Sequence, residues 1–272
     1  MLYRGMDRAS LDAAYNNRAA VREYPAISAA RAALSAQVRQ RRKLHADLRY
    51  GTGERERLDF FPASRPGAPV LAFIHGGYWQ SNDKEASSFL VEGPLERGFA
   101  VALLEYTLAP EADIDRIVAE IARGIGWLAL HAGEFGGDPA RLYVAGHSAG
   151  GHLAASAIGR RDVAGVLSIS GLFDLEPIRL CYLDEKLRLT DAQVARQSPI
   201  RGIPRERVPA VVAAGAAELP ELVRQSTEYA AALGIAPLVL PGHDHFTILE
   251  ELARPDGALC NALGSLAGGV LA

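Results

Sequence analysis

Arg141-Leu142-Tyr143-Val144-Ala145-Gly146-His147-Ser148-Ala149-Gly150-Gly151-His152-Leu153-Ala154 decides the reading of this chain. An apolar, strand-like run over residues 141–145 leads into Gly146-His147-Ser148-Ala149-Gly150, and a helix-like run follows from Gly151. At a sharp strand-to-helix turn a serine is thrust clear of the sheet, and flanking glycines let the backbone turn tightly and pack close. The helix starting there offers unpaired N–H groups and the positive end of its dipole, which suit a developing oxyanion. Ser148 is the expected nucleophile.

Working outward, strand and helix alternate. Residues 70–74, 99–105, 163–169, 208–214 and 237–240 read as strands, and 84–97, 114–131 and 221–233 as helices, with a last helix from near Thr247. Near-continuous apolar strands alternating with helices indicate an α/β fold, a mostly parallel sheet with helices on both faces. Upstream, residues 7–42 read as helical, with Leu11, Ala14, Tyr15, Ala32, Leu34 and Val38 at near-helical spacing and Pro25 breaking the run. Residues 46–50 and 57–61 flank Gly51-Thr52-Gly53 like an antiparallel hairpin. Residues 174–207 interrupt the rhythm and read as a small cap or insertion beside the active site. Residues 1–272 thus read as one domain with an N-terminal helical extension, 1–45.

Among 272 residues, 49% are hydrophobic and the net charge is -3. A sizeable core is affordable, and no general attraction to nucleic acid or anionic membranes is expected. The cluster Arg31, Arg39, Arg41, Arg42, Lys43 and Arg49 lacks interleaved aromatics and reads as a solvated helix face. Cys181 and Cys260 lack metal-ligand spacing and read as buried or idle thiols. Charges scattered from Arg4 to Arg22 break any secretory signal, and no stretch approaches the roughly eighteen apolar residues of a membrane span. The expectation is a soluble cytoplasmic protein acting on a small molecule, with a homodimer as the assembly to test.

Serine-based acyl cleavage needs a base, a group that orients the base, and donors for the oxyanion. His245, in Pro241-Gly242-His243-Asp244-His245-Phe246, lies just past the last strand, with His243 its rival in the same loop. The order serine, acid, histidine suits this architecture, so the acid should follow the strand 208–214. Glu218 is the first carboxylate there. Glu221 opens the next helix, where a carboxylate often only complements the dipole. Asp174 follows the preceding strand and stays open as a third candidate. His75-Gly76-Gly77-Tyr78-Trp79 follows the strand 70–74, and its paired glycines permit a loop whose N–H groups face the nucleophile. The N–H groups of Gly77, Tyr78 and Ala149 are the expected oxyanion donors. Tyr78, Trp79 and His147 are candidate pocket residues, with core aromatics the alternative for Tyr78 and Trp79 and packing beneath the turn the alternative for His147; a bulky side chain beside the oxyanion site would favour a small acyl group. His75 reads as a structural support of the loop, and His131 and His152 as ordinary helix residues. No spacing implies a metal, and the chemistry calls for no cofactor.

With these residues in view, the chain resembles the α/β-hydrolase superfamily, in the hormone-sensitive-lipase-like branch with its HGG oxyanion loop. HGGYW is similar to the kynurenine formamidase (arylformamidase) group rather than to the HGGG lipases and esterases. The segments 105–110, 150–153 and 170–175 agree, and 221–226 resembles the segment after the acid in that group. The likeness runs from about Tyr15 to the last helix. It favours Glu218, although the group often has Asp there, and it favours His245, which directly precedes Phe246. The resemblance implies hydrolysis of an aryl formamide, N-formyl-L-kynurenine, to L-kynurenine and formate in tryptophan catabolism. A short-chain carboxylesterase of the same superfamily is the alternative. A ligand-binding protein on an inactive hydrolase scaffold is a third reading, which expects the serine, histidine or glycines to be lost; all are present.

Overall fold

A computed structural model describes residues 1–268. Among the described residues eight strands form one sheet: β1 His45–Arg49, β2 Arg57–Phe61, β3 Ala68–Ile74, β4 Ala100–Leu104, β5 Gly137–His147, β6 Gly165–Ile169, β7 Ala210–Gly215 and β8 Leu238–Leu240. Their order is β1-β2-β4-β3-β5-β6-β7-β8. β1 pairs antiparallel with β2 and β2 with β4, and every later pairing is parallel. β5 outruns the expected segment at both ends.

Every residue of β3, β4 and β6 is buried, because both faces of the sheet are covered. Alternation along β3 sends Val70, Ala72 and Ile74 to one core and Leu71 and Phe73 to the other. Helix Ile114–His131 covers the first face with Ile117, Ile121, Ile125 and Leu128, one stripe at helical spacing. Asp113 caps its start by accepting from the Arg116 N–H at 2.9 Å. Leu259 and Leu263 of helix Ala258–Leu266 cover the second face.

Several expected elements are subdivided. Residues 84–97 form a 3-10 helix, Glu85–Val91, and a short α-helix, Glu92–Glu96; Pro94 has no N–H to continue the earlier turn. Pro255 and Gly257 likewise separate Glu250–Ala253 from Ala258–Leu266. Pro25 opens a helix instead of breaking one, sitting in the first turn of Tyr24–Arg41 behind Arg8–Ala14 and Asn17–Ala20. Residues 174–207 contain the short helices Glu176–Arg179, Asp184–Leu187 and Asp191–Gln197.

The basic cluster is solvated only in part: Arg41, Arg42, Lys43 and Arg49 are exposed, whereas Arg31 and Arg39 turn to the body. Arg39 pairs with the fully buried Asp59, which also holds the Lys84 ammonium at 3.1 Å. Arg41 and Arg42 grip Glu92, and Arg31 donates to the Phe246 carbonyl at 2.6 Å. These partners dock the helix Tyr24–Arg41 onto the body with Val38 buried and Leu34 exposed. Cys181 and Cys260 are free and buried, and burial raises both thiols to about 11.

Candidate active site

β5 ends in the turn that carries Ser148. The serine has φ 57° and ψ -119°, a backbone conformation that L-residues rarely adopt. Its N–H bonds the Ile169 carbonyl of β6 at 2.9 Å, and its carbonyl accepts from His152 at the start of helix Ala149–Ala155. A Cβ on Gly146 would stand 2.1 Å from the Gly150 carbonyl oxygen, and one on Gly150 would stand 2.0 Å from that of Ile74. Only glycine fits at either position, which is why the motif can turn this tightly between β3 and the helix.

His245 and Glu218 meet beside the turn. The His245 Nδ1–H donates to Glu218 Oε2 at 2.7 Å, so Nε2 carries the lone pair. Ser148 and His245 face one cavity. Among the described residues His245 Nε2 has no hydrogen-bond partner. The Glu218 side chain is fully buried, and its other oxygen accepts from Ser170 Oγ at 2.5 Å and the Gly215 N–H at 2.7 Å. Three donors thus compensate a carboxylate out of water.

The rival residues are occupied elsewhere. Asp174 accepts from Tyr3 and Arg201, each at 3.0 Å. Glu221 accepts from Tyr15 at 3.0 Å and pairs with Arg224. His243 Nε2 lies 3.5 Å from Glu251.

The loop His75–Trp79 leaves β3 with φ of 120° at Gly77, 52° at Tyr78 and 58° at Trp79. Neither the Gly77 nor the Tyr78 N–H bonds another described residue, and the Ala149 N–H opens its helix. His75 holds the loop from beneath. Its Nε2 donates to Glu105 at 2.9 Å, its Nδ1 faces the Gly76 carbonyl at 2.9 Å, and its ring stacks on Tyr106 at 4.4 Å. Burial pushes the Glu105 carboxyl up, but the bond and charge of His75 and the charge of Arg55 hold it below the usual carboxylate range. This network explains the motif residues Glu105 and Tyr106, whose part the sequence does not reveal.

Tyr78 lines the cavity, and its hydroxyl donates to the Tyr15 carbonyl at 2.6 Å and accepts from Asn17 at 2.9 Å. Trp79 does not reach the cavity: it is fully buried, edge-on to His152 at 5.0 Å. At its φ of 58° the ring points into the core beneath the loop, which corrects its expected place as a pocket residue. His147 lines the cavity and donates from Nε2 to the His245 carbonyl at 2.7 Å. Burial, and then the nearby His245, keep its ring well below the usual imidazole range.

The cavity measures about 370 Å³, within the roughly 300–1,000 Å³ usual for small-molecule sites. Its wall includes Tyr182, Leu183 and Lys186 from the insertion. It also includes residues of the N-terminal helices, among them Asn17, Arg18, Tyr24 and Arg31, which sequence patterning does not place at the site.

His152 is a buried titrating group under the site. Its Nε2 donates to the Gln197 carbonyl at 2.7 Å, and burial lowers its pKa from 6.5 to about 4. As pH falls below 6.5 the unfolded chain takes the proton first, so stability is lost between 6.5 and 4. The loss amounts to about 3 kcal/mol. Urea unfolding at pH 7 and pH 4 should show that His152→Gln loses correspondingly less on acidification. Equal losses in the two proteins would contradict this.

Comparison with known proteins bears on this geometry. The BD-FAE family model matches residues 58–164, from β2 through the turn at Ser148. A kynurenine formamidase of Danio rerio is 33% identical over 242 residues, covering 82% of this chain and 81% of its own. A crystal structure from a Silicibacter species, provisionally assigned as a thioesterase, superposes with a TM-score of 0.85 at 30% identity, covering 95% of this chain and 99% of that one. An esterase of Pyrobaculum calidifontis shares the fold with a TM-score of 0.74 at 19% identity, covering 91% and 93%. Among the described residues no helix is long and apolar enough to cross a membrane. With the identity and coverage of the zebrafish relative, this chain belongs to the kynurenine formamidase family of α/β-hydrolases.

Proposed function

We propose that the chain hydrolyses N-formyl-L-kynurenine to formate and L-kynurenine through a formyl-enzyme on Ser148. His245 Nε2 takes the Ser148 proton as Oγ attacks the formamide carbon. Glu218 fixes the ring tautomer and supports the imidazolium. The negative oxygen is held by the N–H groups of Gly77, Tyr78 and Ala149. Collapse breaks the C–N bond, and His245 gives its proton to the departing aryl amine. Water, deprotonated in turn by His245, attacks the formyl ester, releases formate and restores Ser148. The N-terminal helices and the insertion 174–207 together act as the roof of the site.

The observation that carries this reading is the 2.7 Å bond between His245 and Glu218 beside the turn at Ser148. Sequence likeness to the zebrafish formamidase supports the formamide substrate, and the Tyr78 side chain, anchored within the oxyanion loop, fits a small acyl group. The test compares kcat/KM for N-formyl-L-kynurenine and 4-nitrophenyl acetate. The formamide should be preferred despite its poorer leaving group, and a large ester preference would move the chain to the carboxylesterases.

A further inference from the structure

The charge lining the cavity is one-sided. Arg18, Arg31 and Lys186 all line it, and among the described residues no Asp or Glu does. The chain as a whole carries 32 acidic against 29 basic residues, so composition does not account for this. Arg31 is answered from behind: its guanidinium bonds the Phe246 carbonyl and feels Asp244 and Glu250. Arg18 and Lys186 are different. Both are exposed, and among the described residues neither belongs to an ion pair. Arg18 lies over the Tyr24 ring at 5.3 Å and reaches Ser81 at 3.4 Å. Asp12, an acid near this region, already pairs with Arg8 and accepts from the Tyr182 N–H. The two cations come from different elements, Arg18 from the N-terminal helices and Lys186 from the insertion.

We infer that Arg18 and Lys186 form an anion subsite at the mouth of the cavity that takes a carboxylate on the leaving group. The inference rests on the acyl-transfer reading in one respect: the acyl carbon must lie at Ser148. A formyl group has no chain, so the rest of such a substrate extends toward the opening. Two unpaired cations there attract a carboxylate, and no acidic side chain awaits an ammonium. The subsite therefore recognises an aromatic acid, and the α-amino group of an amino-acid substrate contributes little to selection.

The test uses two acetate esters, neutral 4-nitrophenyl acetate and 5-acetoxy-2-nitrobenzoate, whose leaving phenol bears a carboxylate. The wild type should prefer the carboxylate ester, and rising salt should erode that preference through screening. In Arg18→Gln/Lys186→Gln the ratio of kcat/KM values should fall about tenfold, chiefly through KM of the charged ester. Arg18→Lys/Lys186→Arg should retain the preference, which separates charge from any change in folding. A ratio unmoved by salt and by the double Gln variant would overturn the subsite. So would failure to hydrolyse either ester. Alongside, 4-(2-formamidophenyl)-4-oxobutanoate, lacking the α-amino group, should match N-formyl-L-kynurenine within a few-fold, and a large loss would overturn the claim about the ammonium. A normal ester ratio with no turnover of either formamide would leave the subsite standing and overturn the proposed substrate.

Discussion

Ser148→Ala should lower kcat by about a millionfold, the scale seen when a hydrolase loses its nucleophile. Residual activity would come from the oxyanion donors and binding alone. The fold should survive. The bonds that Ser148 itself makes come from its backbone, to Ile169 on one side and His152 on the other, and the close approaches are made by Gly146 and Gly150. Circular dichroism and the urea midpoint should therefore match the wild type within the small cost of one hydroxyl. Loss of turnover with an intact fold assigns the effect to chemistry, whereas a variant retaining a tenth of the activity would remove Ser148 from its role.

Glu218→Gln should lower kcat by about ten thousandfold. The carboxylate accepts three hydrogen bonds, and the amide can accept only on its oxygen. If that oxygen keeps the Ser170 and Gly215 donors, the NH₂ group confronts His245 Nδ1. The imidazole must then carry its proton on Nε2, where the reaction needs a lone pair. Asp174→Asn and Glu221→Gln should stay within a few-fold, because those carboxylates serve Tyr3 and Arg201, and Tyr15 and Arg224. A collapse of kcat in Asp174→Asn with near-normal Glu218→Gln would reverse the assignment.

What the sequence made legible was local. The turn at Ser148, the loop at His75 and the loop at His245 each hold their chemistry within about six residues, and strand ends locate them at one edge of the sheet. Glu218 was reachable because it is the first carboxylate after β7. Contacts between distant segments were not. Arg31 meets Phe246 across 215 positions, and the apolar spacing in Tyr24–Arg41 does not tell which face turns to the body, since Val38 is buried and Leu34 exposed. Arg39 reads as solvated in the sequence because its partner Asp59 lies in another element. Ser170 was visible only as part of a resembling segment. Its positive φ and its bond to Glu218 emerge once β6 and β7 lie side by side. Trp79 shows the limit of reading a motif by residue type, since neighbours in a strained loop can face opposite ways.

The central claim, that Ser148 is the nucleophile of aryl formamide hydrolysis, is tested most directly by mapping a fluorophosphonate adduct with N-formyl-L-kynurenine as competitor. Peptide mass analysis should place a single adduct on Ser148, and the substrate should slow labelling in proportion to its occupancy of the site. An adduct on another residue, or labelling that saturating N-formyl-L-kynurenine does not slow, would contradict the claim.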